Sequence, residues 1–253
     1  MLHATYPCLK DKPVLISGGA SGIGEALVRN FASQGARVGF VDVQQDAGAA
    51  LAGELKDSGQ TVVFEHCDIT DTSQYQRAIK RFEALHGPCL VLVNNAANDT
   101  RHDWRKVTPG EFASRVAVNL EHAFFAIQAV APGMIAARRG SIVNFGSISW
   151  MAAQAGLPVY ASSKAAVHGM TRSFARELGQ HNIRVNTVVP GWVMTKRQLE
   201  LWVDDAANDL IDRSQCLAGR VQPEDVAALA VFLASDNARM CSAQNFIVDG
   251  GWV

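Results

Sequence analysis

Short runs rich in β-branched residues alternate with longer segments of helical periodicity along almost the whole chain. Several of the short runs are continuously apolar, as strands are when helices cover both faces of a sheet. Seven such runs lie at 13–18, 37–42, 61–68, 89–96, 141–147, 184–191 and 245–251. The periodic segments between them lie at 23–34, 44–57, 72–86, 109–137, 159–180 and 223–234. This alternation predicts an α/β fold, in which right-handed crossovers build a doubly wound parallel sheet with helices on both faces.

The alternation persists to the last residues, so residues 1–253 are interpreted as a single domain. No Pro/Gly/Ser-rich linker, low-complexity tract or internal repeat divides the sequence. One interruption stands between a predicted strand and a predicted helix, at about 192–218, and carries Trp192, Met194 and Trp202. Because ligands bind beyond the carboxyl ends of the strands in such sheets, this insertion is a candidate lid.

The charge balance argues against several classes of function. The net charge is −1 and charged residues make up 19% of the chain, which leaves no field to attract nucleic acid or an acidic membrane surface. The five cysteines, at positions 8, 67, 89, 216 and 241, form no CxxC pair and fit a reducing compartment. The N-terminus lacks a secretory-signal pattern, and no run approaches 18 apolar residues. We therefore expect a cytoplasmic protein without a membrane span, a nucleic-acid partner or a metal site.

A glycine-rich segment, SGGASGIGEAL, joins the first predicted strand to the first predicted helix. The spacing GxxxGxG lets the backbone turn sharply and approach a pyrophosphate, which the helix N-terminus attracts. A tight loop without a ligand is the alternative, but the position between a strand and a helix favours nucleotide binding. The predicted phosphate-binding residues are Ser17, Gly18, Ser21, Gly22, Ile23 and Gly24.

Asp42 ends the second predicted strand, 18 residues after Gly24. An acidic residue near this distance can hydrogen-bond the adenosine ribose hydroxyls of a dinucleotide, and its charge would repel a 2′-phosphate. No Lys or Arg lies in the glycine-rich segment, and Val43 follows Asp42. These features favour NAD over NADP as the cofactor. The alternative is an aspartate that only caps the next helix.

Polar residues also end the third and fourth predicted strands. Asp68 and Ile69 follow the third strand and are predicted to meet the adenine of the cofactor. The segment DITDTS equally offers helix caps, and Asp71 or Thr72 could fill that role. Asn95, in the segment NNAA, can satisfy backbone groups and line the cofactor groove, or can belong to a turn without a ligand role.

A phenol and an ammonium stand one helical turn apart in the segment VYASSK, as Tyr160 and Lys164. Ser147 ends the fifth predicted strand, 13 residues before Tyr160, and Asn119 lies in the apolar helical segment VAVNLEHAFFAIQAV. Taken alone, each has an ordinary structural explanation, because surface pairs, strand-end serines and satisfied core asparagines are common. Their combination is what changes the interpretation.

The combined motifs resemble the short-chain dehydrogenase/reductase family over essentially the whole chain. They stand in the family's order as SGxxxGIG at 17–24, Asp42, Asp68, NNAA at 94–97, Asn119, Ser147, Tyr160-xxx-Lys164 and PG at 190–191. The resemblance implies a seven-stranded Rossmann-type sheet, with a nucleotide-binding half at about 10–120 and a catalytic and substrate half at about 121–253. Ala97 is a departure, because the family normally has glycine there.

The resemblance also implies roles for the catalytic residues. Tyr160 would be the general acid/base; because free tyrosine has a pKa of about 10, Lys164 would favour the phenolate, and it would also bind the nicotinamide ribose. Ser147 would hydrogen-bond the reacting oxygen, and Asn119 would hold a water that links Lys164 to solvent. The cofactor site would be completed by Pro190, Gly191, Val193 and Thr195, the last of which resembles the residue at the nicotinamide carboxamide.

Four loops resemble those of bacterial aldose 1-dehydrogenases, which use NAD to oxidise the anomeric hydroxyl of D-xylose, L-arabinose or D-galactose to a lactone. The segments are NDTRH (98–102), NFGSISW (144–150), PGWVMTKRQ (190–198) and QCLAGR (215–220). A sugar site needs several polar groups and an aromatic wall. Loop-fixing residues and rim aromatics are the alternative explanation for these positions. The predicted substrate residues are Asn98, Ser147, Ser149, Trp150, Gln154, Tyr160 and Trp192.

Oxidation at C1 of an aldose (a pentose, hexose or 6-deoxy sugar) with NAD is therefore the leading hypothesis. A 3-oxoacyl reductase is disfavoured, because such enzymes usually prefer NADPH and Asp42 opposes it. A nucleotide-sensing module without turnover would have no need of Tyr160 and Lys164. A keto-deoxy sugar acid remains open as a substrate, because a cation is available from Arg101, His102, Lys196 or Arg197.

The family pairs the helix that begins near residue 159 with its copy in a second subunit, as a dimer or tetramer. Small residues on that helix would allow the close approach, and they are Ala161, Ala165, Ala166 and Gly169. The C-terminal segment DGGWV is apolar enough to dock against a partner as well. A homo-oligomer is therefore expected.

Overall fold

A seven-stranded sheet forms the centre of the computed structural model, which describes residues 4–253. Its strands run in the order β3-β2-β1-β4-β5-β6-β7, and all neighbouring strands are parallel. The predicted fold class is therefore confirmed. The strands are β1 (Pro13–Ser17), β2 (Arg37–Asp42), β3 (Val62–His66), β4 (Val91–Asn94), β5 (Gly140–Phe145), β6 (Ile183–Pro190) and β7 (Asn245–Val248).

Helices connect the strands as the periodic segments predict, and two further short helices occupy the insertion after β6. The helices within residues 4–253 are α1 (Gly22–Ser33), α2 (Gln45–Asp57), α3 (Thr72–His86), α4 (Pro109–Val116), α5 (His122–Ala137), α6 (Pro158–Leu178), α7 (Lys196–Leu201), α8 (Asp205–Ser214) and α9 (Pro223–Ala234). The segment predicted as one helix at 109–137 is divided by a π-helical turn, Ala117–Glu121. Such single π-turns are frequent at functional positions, and this one carries Asn119.

Two apolar layers cover the faces of the sheet. On one face, α1, α2 and α9 pack together, and Leu27 and Phe31 of α1 are fully buried there. On the other face, α3, α5 and α6 contribute Tyr75, Ile127 and Leu178 to the second layer. Because both layers are close-packed, the strand ends between them are held as a rigid frame for a site.

The combined helical stretch Pro109–Ala137 is long and apolar enough, by length and composition alone, to cross a membrane, because one 18-residue window within it has a mean hydropathy of 1.3. Its C-terminal part is a core helix of this fold, since Ala126, Ile127, Val130 and Met134 are completely buried in the layer against α3 and the sheet. The apolar composition is therefore explained by packing.

Parallel strands bring their carboxyl ends to one edge of the sheet, and strand order reverses between β1 and β4 at this edge, which creates a crevice. The insertion at 192–218 lies beyond the end of β6. Its two ends are tied together, because Val193 forms a parallel bridge with Val221. The insertion therefore covers the carboxyl edge of the sheet. It contains the short helices α7 and α8, and its end lies beside its beginning.

Candidate active site

A cavity of about 1160 Å³ lies at the carboxyl edge of the sheet. This volume is large enough for a dinucleotide together with a small substrate. Most residues predicted for the site line it: Gly18, Ser21, Gly22, Ile23, Gly24, Asp42, Asp68, Ile69, Asn95, Asn98, Ser147, Gln154, Tyr160, Lys164, Pro190, Gly191, Trp192, Val193 and Thr195. Four other predicted residues, Ser17, Asn119, Ser149 and Trp150, do not line the cavity.

The glycine-rich loop between β1 and α1 is folded so tightly that side chains are sterically forbidden. Gly18 has a φ of +69°, and a Cβ atom there would lie 2.8 Å from the Cα atom of Ala96. A Cβ atom at Gly24 would overlap the carbonyl oxygen of Gly18. Gly22, with a φ of +57°, faces Thr195 across the cavity, so that a Cβ atom would lie 3.1 Å from its methyl group. The glycines leave a cradle at the start of α1 that fits a pyrophosphate.

Ser17 and Asn95 fasten this loop to the end of β4. The Ser17 hydroxyl, which is fully buried, accepts hydrogen bonds from the backbone N–H groups of Asn95 (3.1 Å) and Ala96 (3.2 Å). The Asn95 amide donates to the carbonyl oxygens of Ser17 (3.1 Å) and Gly18 (2.9 Å). The structure therefore places Ser17 behind the predicted cofactor site, where it supports the loop, whereas Asn95 both supports the loop and lines the cavity.

Asp42 is almost completely buried and holds two backbone segments together. One carboxylate oxygen accepts a hydrogen bond from the N–H of Ala20 in the glycine-rich loop (3.0 Å). The other accepts from the N–H of Gln44 (2.9 Å), the residue that precedes α2. Asp42 therefore binds the N-cap residue of α2 and does not itself cap that helix. Its carboxylate also lines the cavity, where its charge and unused lone pairs face a ligand.

The cap of α3 comes from Asp71, whose carboxylate accepts a hydrogen bond from the N–H of Gln74 at 2.9 Å. Asp68 instead forms a local turn, in which one carboxylate oxygen accepts from the N–H and the hydroxyl of Thr70. Asp68 is exposed at the cavity wall beside Ile69, so its second carboxylate oxygen is available to a ligand.

The segment from Pro190 to Thr195 leaves the end of β6 along the cavity wall. A Cβ atom at Gly191 would lie 2.6 Å from the Cβ atom of Asp249, so the chain passes close to the C-terminal tail at this point. The Thr195 hydroxyl accepts a hydrogen bond from the N–H of Gln198 (3.3 Å) and thereby caps α7. Thr195 thus has a structural role in addition to its place in the cavity lining.

Asn119 is buried, and its side chain is committed to the neighbouring loop. Its oxygen accepts a hydrogen bond from the N–H of Asn98 (2.9 Å), and its amide donates to the carbonyl oxygens of Asn98 (3.0 Å) and Arg115 (2.8 Å). Asn119 is therefore a buried asparagine whose side-chain hydrogen bonds are all made within the protein, as the structural explanation predicts. By clamping Asn98, it sets the course of the loop after β4. Its role in a proton relay stays a prediction.

The catalytic group converges at the start of α6. Ser147 follows β5, and its hydroxyl lies close enough to the Tyr160 phenol to lower the pKa of that phenol. Lys164 is only 2% exposed, and its ammonium group donates to the carbonyl oxygen of Phe145 at 2.9 Å. The Lys164 nitrogen lies 5.8 Å from the centre of the Tyr160 ring. One helical turn therefore places the ammonium group behind the phenol, as the four-residue spacing predicts.

Burial dominates the ionisation of this group. It raises the pKa of Tyr160 to about 12, with the Ser147 hydroxyl acting in the opposite direction and the charge of Asp99 in the same direction. Burial also lowers the pKa of Lys164 to about 8. The sequence predicts that Lys164 favours the phenolate, whereas in the structure the loss of solvation on burial has the largest effect on the pKa of Tyr160.

His122 is a buried residue of this region that the sequence reasoning missed. It lies on α5, hydrogen-bonds the backbone of Ala96, and its Nδ1 atom has no partner among residues 4–253. Burial lowers its pKa to about 3, and the charge of Lys164 acts in the same direction. His122 is therefore neutral at physiological pH. In the sequence, the position of His122 three residues after Asn119, in the same apolar helical segment, could have indicated that it lies near the site.

Ser149 and Trp150 do not line the cavity. They lie in a short 3-10 turn, Ile148–Trp150, whose N-cap is the Ser147 hydroxyl. Ser149 is 2% exposed, and Trp150 packs edge-on against His168 with ring centres 5.2 Å apart. Their predicted contact with a substrate therefore stays a prediction.

The insertion closes on the loop after β4 through side chains. The Trp192 indole donates to the Gln198 side chain (3.0 Å), which in turn donates to Asp99 (2.6 Å). The Arg101 guanidinium lies 4.4 Å from the ring centre of Trp202 and 5.9 Å from that of Trp192. The sequence reasoning placed Trp192 at the site but assigned no role to Asp99, Arg101 or Gln198 in closing it.

Trp252, near the C-terminus, also lines the cavity and was missed as a site residue. Its ring centre lies 6.4 Å from that of Trp192. Docking of the segment DGGWV against a partner subunit stays a prediction, and within its own chain this indole packs against Trp192. In the sequence, the two consecutive glycines before Trp252 indicate a sharp turn. They do not indicate the direction in which the chain turns.

Comparison with known proteins agrees with this architecture. A family model described as enoyl-(acyl carrier protein) reductase matches residues 18–253. The chain is 47% identical to D-xylose 1-dehydrogenase of Caulobacter vibrioides over 252 residues, covering 100% of both proteins. It is 41% identical to the protein named "Probable galactose dehydrogenase GalD" of Rhizobium meliloti, covering 97% of this chain and 96% of that protein.

Two solved structures with bound cofactors superpose closely on this chain. A 3-oxoacyl-[acyl-carrier protein] reductase from Brucella melitensis with bound NAD has a TM-score of 0.87 and 32% identity, covering 97% of this chain and 92% of that one. A gluconate 5-dehydrogenase from Burkholderia cenocepacia, in complex with NADP and tartrate, has a TM-score of 0.91 and 30% identity, covering 98% and 97%. With its parallel sheet, its glycine cradle and its Ser147–Tyr160–Lys164 group, the chain belongs to the short-chain dehydrogenase/reductase family.

Proposed function

We propose that this protein is an NAD-dependent dehydrogenase that oxidises the C1 hydroxyl of an aldose to the lactone. The observation that carries the proposal is the convergence of Ser147, Tyr160 and Lys164 on one cavity. The substrate class is supported by the 47% identity, over the full chain, to a D-xylose 1-dehydrogenase. A pentose or hexose that closes into a pyranose ring is therefore the expected substrate.

The cofactor would be held along the nucleotide end of the cavity. The cradle at Gly18, Gly22 and Gly24 would receive the pyrophosphate, with Asp42 at the adenosine ribose and Asp68 near the adenine. The lining residues between 18 and 69, all within the described part of the chain, include no Lys or Arg. A 2′-phosphate would meet the Asp42 charge without a compensating cation, which favours NAD over NADP. When bound, the nicotinamide supplies the hydride acceptor for the oxidation.

The residues of this chain would orient the sugar and remove its hydroxyl proton. Ser147 would donate a hydrogen bond to the oxygen on C1, and the Tyr160 oxygen would take the proton from that hydroxyl. Because burial raises the pKa of Tyr160 to about 12, the phenolate needs a positive charge nearby. Lys164, with a pKa of about 8, carries that charge at neutral pH from one helical turn away.

This cavity is less suited to bind a sugar acid than a neutral sugar. Two of the cations that the sequence left open for a carboxylate are already paired: Arg197 contacts Asp99 and Thr100, and the exposed Lys196 pairs with Glu200. Arg101 stacks on Trp202, and His102 lies beside the carbonyl oxygen of Thr100. A carboxylate bound by Arg197 or Lys196 would have to displace their partners, whereas the hydroxyls of a neutral sugar would not.

A substrate panel tests the proposal. The purified protein is incubated with NAD or NADP and each of D-xylose, L-arabinose, D-galactose, D-glucose, a 6-deoxy sugar and gluconate, while reduced cofactor is followed by absorbance. A 3-oxoacyl thioester is tested in the reductive direction. We expect reduced cofactor with at least one aldose and faster turnover with NAD than with NADP. Turnover of gluconate or the thioester without turnover of any aldose would overturn the substrate assignment.

We also propose that the protein forms a dimer or tetramer through the faces of α5 and α6. Ala166 and Gly169 of α6 are exposed and small, which permits close helix approach. Phe124 of α5 is 43% exposed beside Phe174 of α6, with ring centres 5.4 Å apart. Sedimentation of the wild-type protein should show an oligomer at micromolar concentration, and Phe124→Glu should shift it towards the monomer. A wild-type monomer would contradict this proposal.

A cytoplasmic location is proposed on the redox state of the cysteines. The five cysteines are all free, although the chain is large enough to have formed disulfides in an oxidising compartment. Cell fractionation with an antibody against the protein would test the location. Recovery in the periplasmic or membrane fraction would contradict it.

A further inference from the structure

The C-terminal tail follows a path that its backbone and one carboxylate dictate. Gly250 and Gly251 have φ values of +70° and +83°, which other residues rarely adopt. The buried carboxylate of Asp249 accepts hydrogen bonds from the N–H of Gly251 (2.8 Å) and from the N–H of Val253 (2.9 Å). These two bonds fasten the backbone on either side of Trp252 to the carboxylate of Asp249.

The tail is also bound to the end of the insertion. The carbonyl oxygen of Gly250 accepts from the N–H groups of Cys216 (2.9 Å) and Leu217 (3.0 Å). The Gln215 side chain donates to the carbonyl oxygen of Asp249 at 2.9 Å. A Cβ atom at Gly250 would lie 2.7 Å from the Gln215 amide, so the two segments are in direct contact. The tail is therefore an ordered part of the cavity wall.

The neighbour of Trp252 is itself immobilised. Trp192 donates its indole N–H to Gln198 and has Arg101 on its ring at 5.9 Å. Through those contacts, Trp192 holds the insertion against the loop after β4. Trp252 lies against Trp192 and is half-buried, so part of its indole still faces the cavity.

A pyranose presents a face of C–H groups that packs well on an indole, with its hydroxyls directed to polar groups at the rim. We propose that Trp252, positioned by Asp249, forms the wall on which the sugar ring stacks, which makes the C-terminal tail part of the sugar subsite. This inference rests on the proposed aldose dehydrogenase function. Trp252 would contact the substrate, whereas Asp249 would act through Trp252 as a positioning residue.

Steady-state kinetics with D-xylose and NAD test the inference, using Trp252→Ala, Trp252→Phe and the control Val253→Ala. We expect Trp252→Ala to raise the KM for D-xylose by about tenfold, the loss typical of a stacking contact, with kcat changed by less than about threefold. The NAD dissociation constant, measured by calorimetry, should stay within about twofold of wild type, because Trp252 is not among the residues predicted to bind the cofactor. Trp252→Phe should recover most of the affinity, and Val253→Ala should behave as wild type.

A double-mutant cycle tests the role of Asp249. Asp249→Ala should raise the KM for D-xylose as Trp252→Ala does, and the double variant should lose no more than the single one. If Asp249→Ala does not fold, Asp249→Asn, which keeps one acceptor, should give an intermediate KM. Additive losses would overturn the positioning role.

The outcomes for Trp252 are separable from those for the proposed function. A wild-type enzyme that oxidises D-xylose, combined with an unchanged KM in Trp252→Ala, would overturn the stacking proposal alone. Equal weakening of NAD and sugar binding in both Trp252→Ala and Trp252→Phe would also overturn it, since it would indicate general damage to the cavity. A wild-type enzyme inactive on all aldoses would overturn the proposed function and this inference together.

Discussion

The two ends of the cavity are built in different ways. At the nucleotide end, the contacts join backbone groups: Asp42 accepts from Ala20 and Gln44, and Asn95 donates to the carbonyl groups of Ser17 and Gly18. At the substrate end, side chains from distant segments meet one another, as in the chain from Trp192 through Gln198 to Asp99. A backbone site depends on sequence motifs, whereas a side-chain site depends on tertiary contacts.

This difference has a functional consequence. Backbone geometry at the nucleotide end tolerates few substitutions, because glycine sterics leave no room for them. Side-chain contacts at the substrate end can be exchanged singly without moving the sheet. We therefore expect substitutions at the first end to change cofactor binding or stability, and substitutions at the second end to change sugar affinity.

Tyr160 lies where the two ends meet, and its loss should give the largest effect. Tyr160→Phe keeps the ring and removes the hydroxyl, so kcat should fall by about a thousandfold, within the range for loss of a general acid/base. The NAD dissociation constant from calorimetry should change by less than about twofold, because the backbone cradle is untouched. Retention of more than a tenth of the wild-type kcat would remove Tyr160 from the proton-transfer role.

Gly24→Ala tests the steric argument at the nucleotide end. The added Cβ atom would overlap the carbonyl oxygen of Gly18, so we expect destabilisation of about 3 kcal/mol, at the upper end of the range for overpacking, together with weakened NAD binding. Gly53→Ala is the matched control, because a Cβ atom there meets nothing within 4 Å. This control should be neutral or stabilise helix α2 by about 0.5–1 kcal/mol. Urea unfolding of both variants measures the difference, and equal stabilities would refute the steric explanation.

Asp42→Asn separates charge from hydrogen bonding. The amide keeps one acceptor oxygen for the Ala20 or Gln44 N–H but removes the negative charge at the cavity wall. We expect the ratio of kcat/KM for NADP to that for NAD to rise by about tenfold, because repulsion of the 2′-phosphate is relieved. An unchanged ratio, with the fold intact by circular dichroism, would restrict Asp42 to its structural role.

Asp99→Asn tests whether the closure contacts of the substrate end reach the catalytic group. We expect the KM for the sugar to rise about threefold, because the contact with Gln198 is weakened while the amide oxygen still accepts. The charge of Asp99 raises the pKa of Tyr160, so its removal lowers that pKa and should move the rise of kcat with pH to lower pH. Asp103→Asn is the control, since this residue pairs with Arg105 and does not line the cavity. A pH profile that shifts equally in both variants would contradict a specific effect.

The strand and helix pattern was predictable because it depends on local periodicity. The continuous apolar runs became buried parallel strands, and Leu27 and Phe31 of the first helical pattern are fully buried. The π-helical turn at Ala117–Glu121 was not predictable, since the flanking periodicity is unbroken on either side. It places Asn119 where its side chain clamps Asn98, which is a tertiary requirement that periodicity does not encode.

The pairing of Tyr160 with Lys164 could be predicted from their spacing of four residues. The glycine cradle could be predicted from the spacing of its glycines and from its position between a strand and a helix. The positions of Ser149 and Trp150 outside the cavity lining were not predictable, because they depend on the 3-10 turn after Ser147. The place of Trp252 in the cavity lining was not predictable either, because the turn at Gly250 and Gly251 does not reveal its direction in the sequence.

By itself, the sequence determined the α/β architecture, and it predicted the place of the nucleotide and the identity of the catalytic group. These follow from backbone sterics and short-range spacing, which a linear sequence records directly. Only the tertiary structure decided which aromatic residues face the cavity and that burial controls the ionisation of Tyr160 and Lys164. Those properties depend on desolvation and on contacts such as Trp192 with Trp252, between residues sixty positions apart, which exist only once the chain is packed.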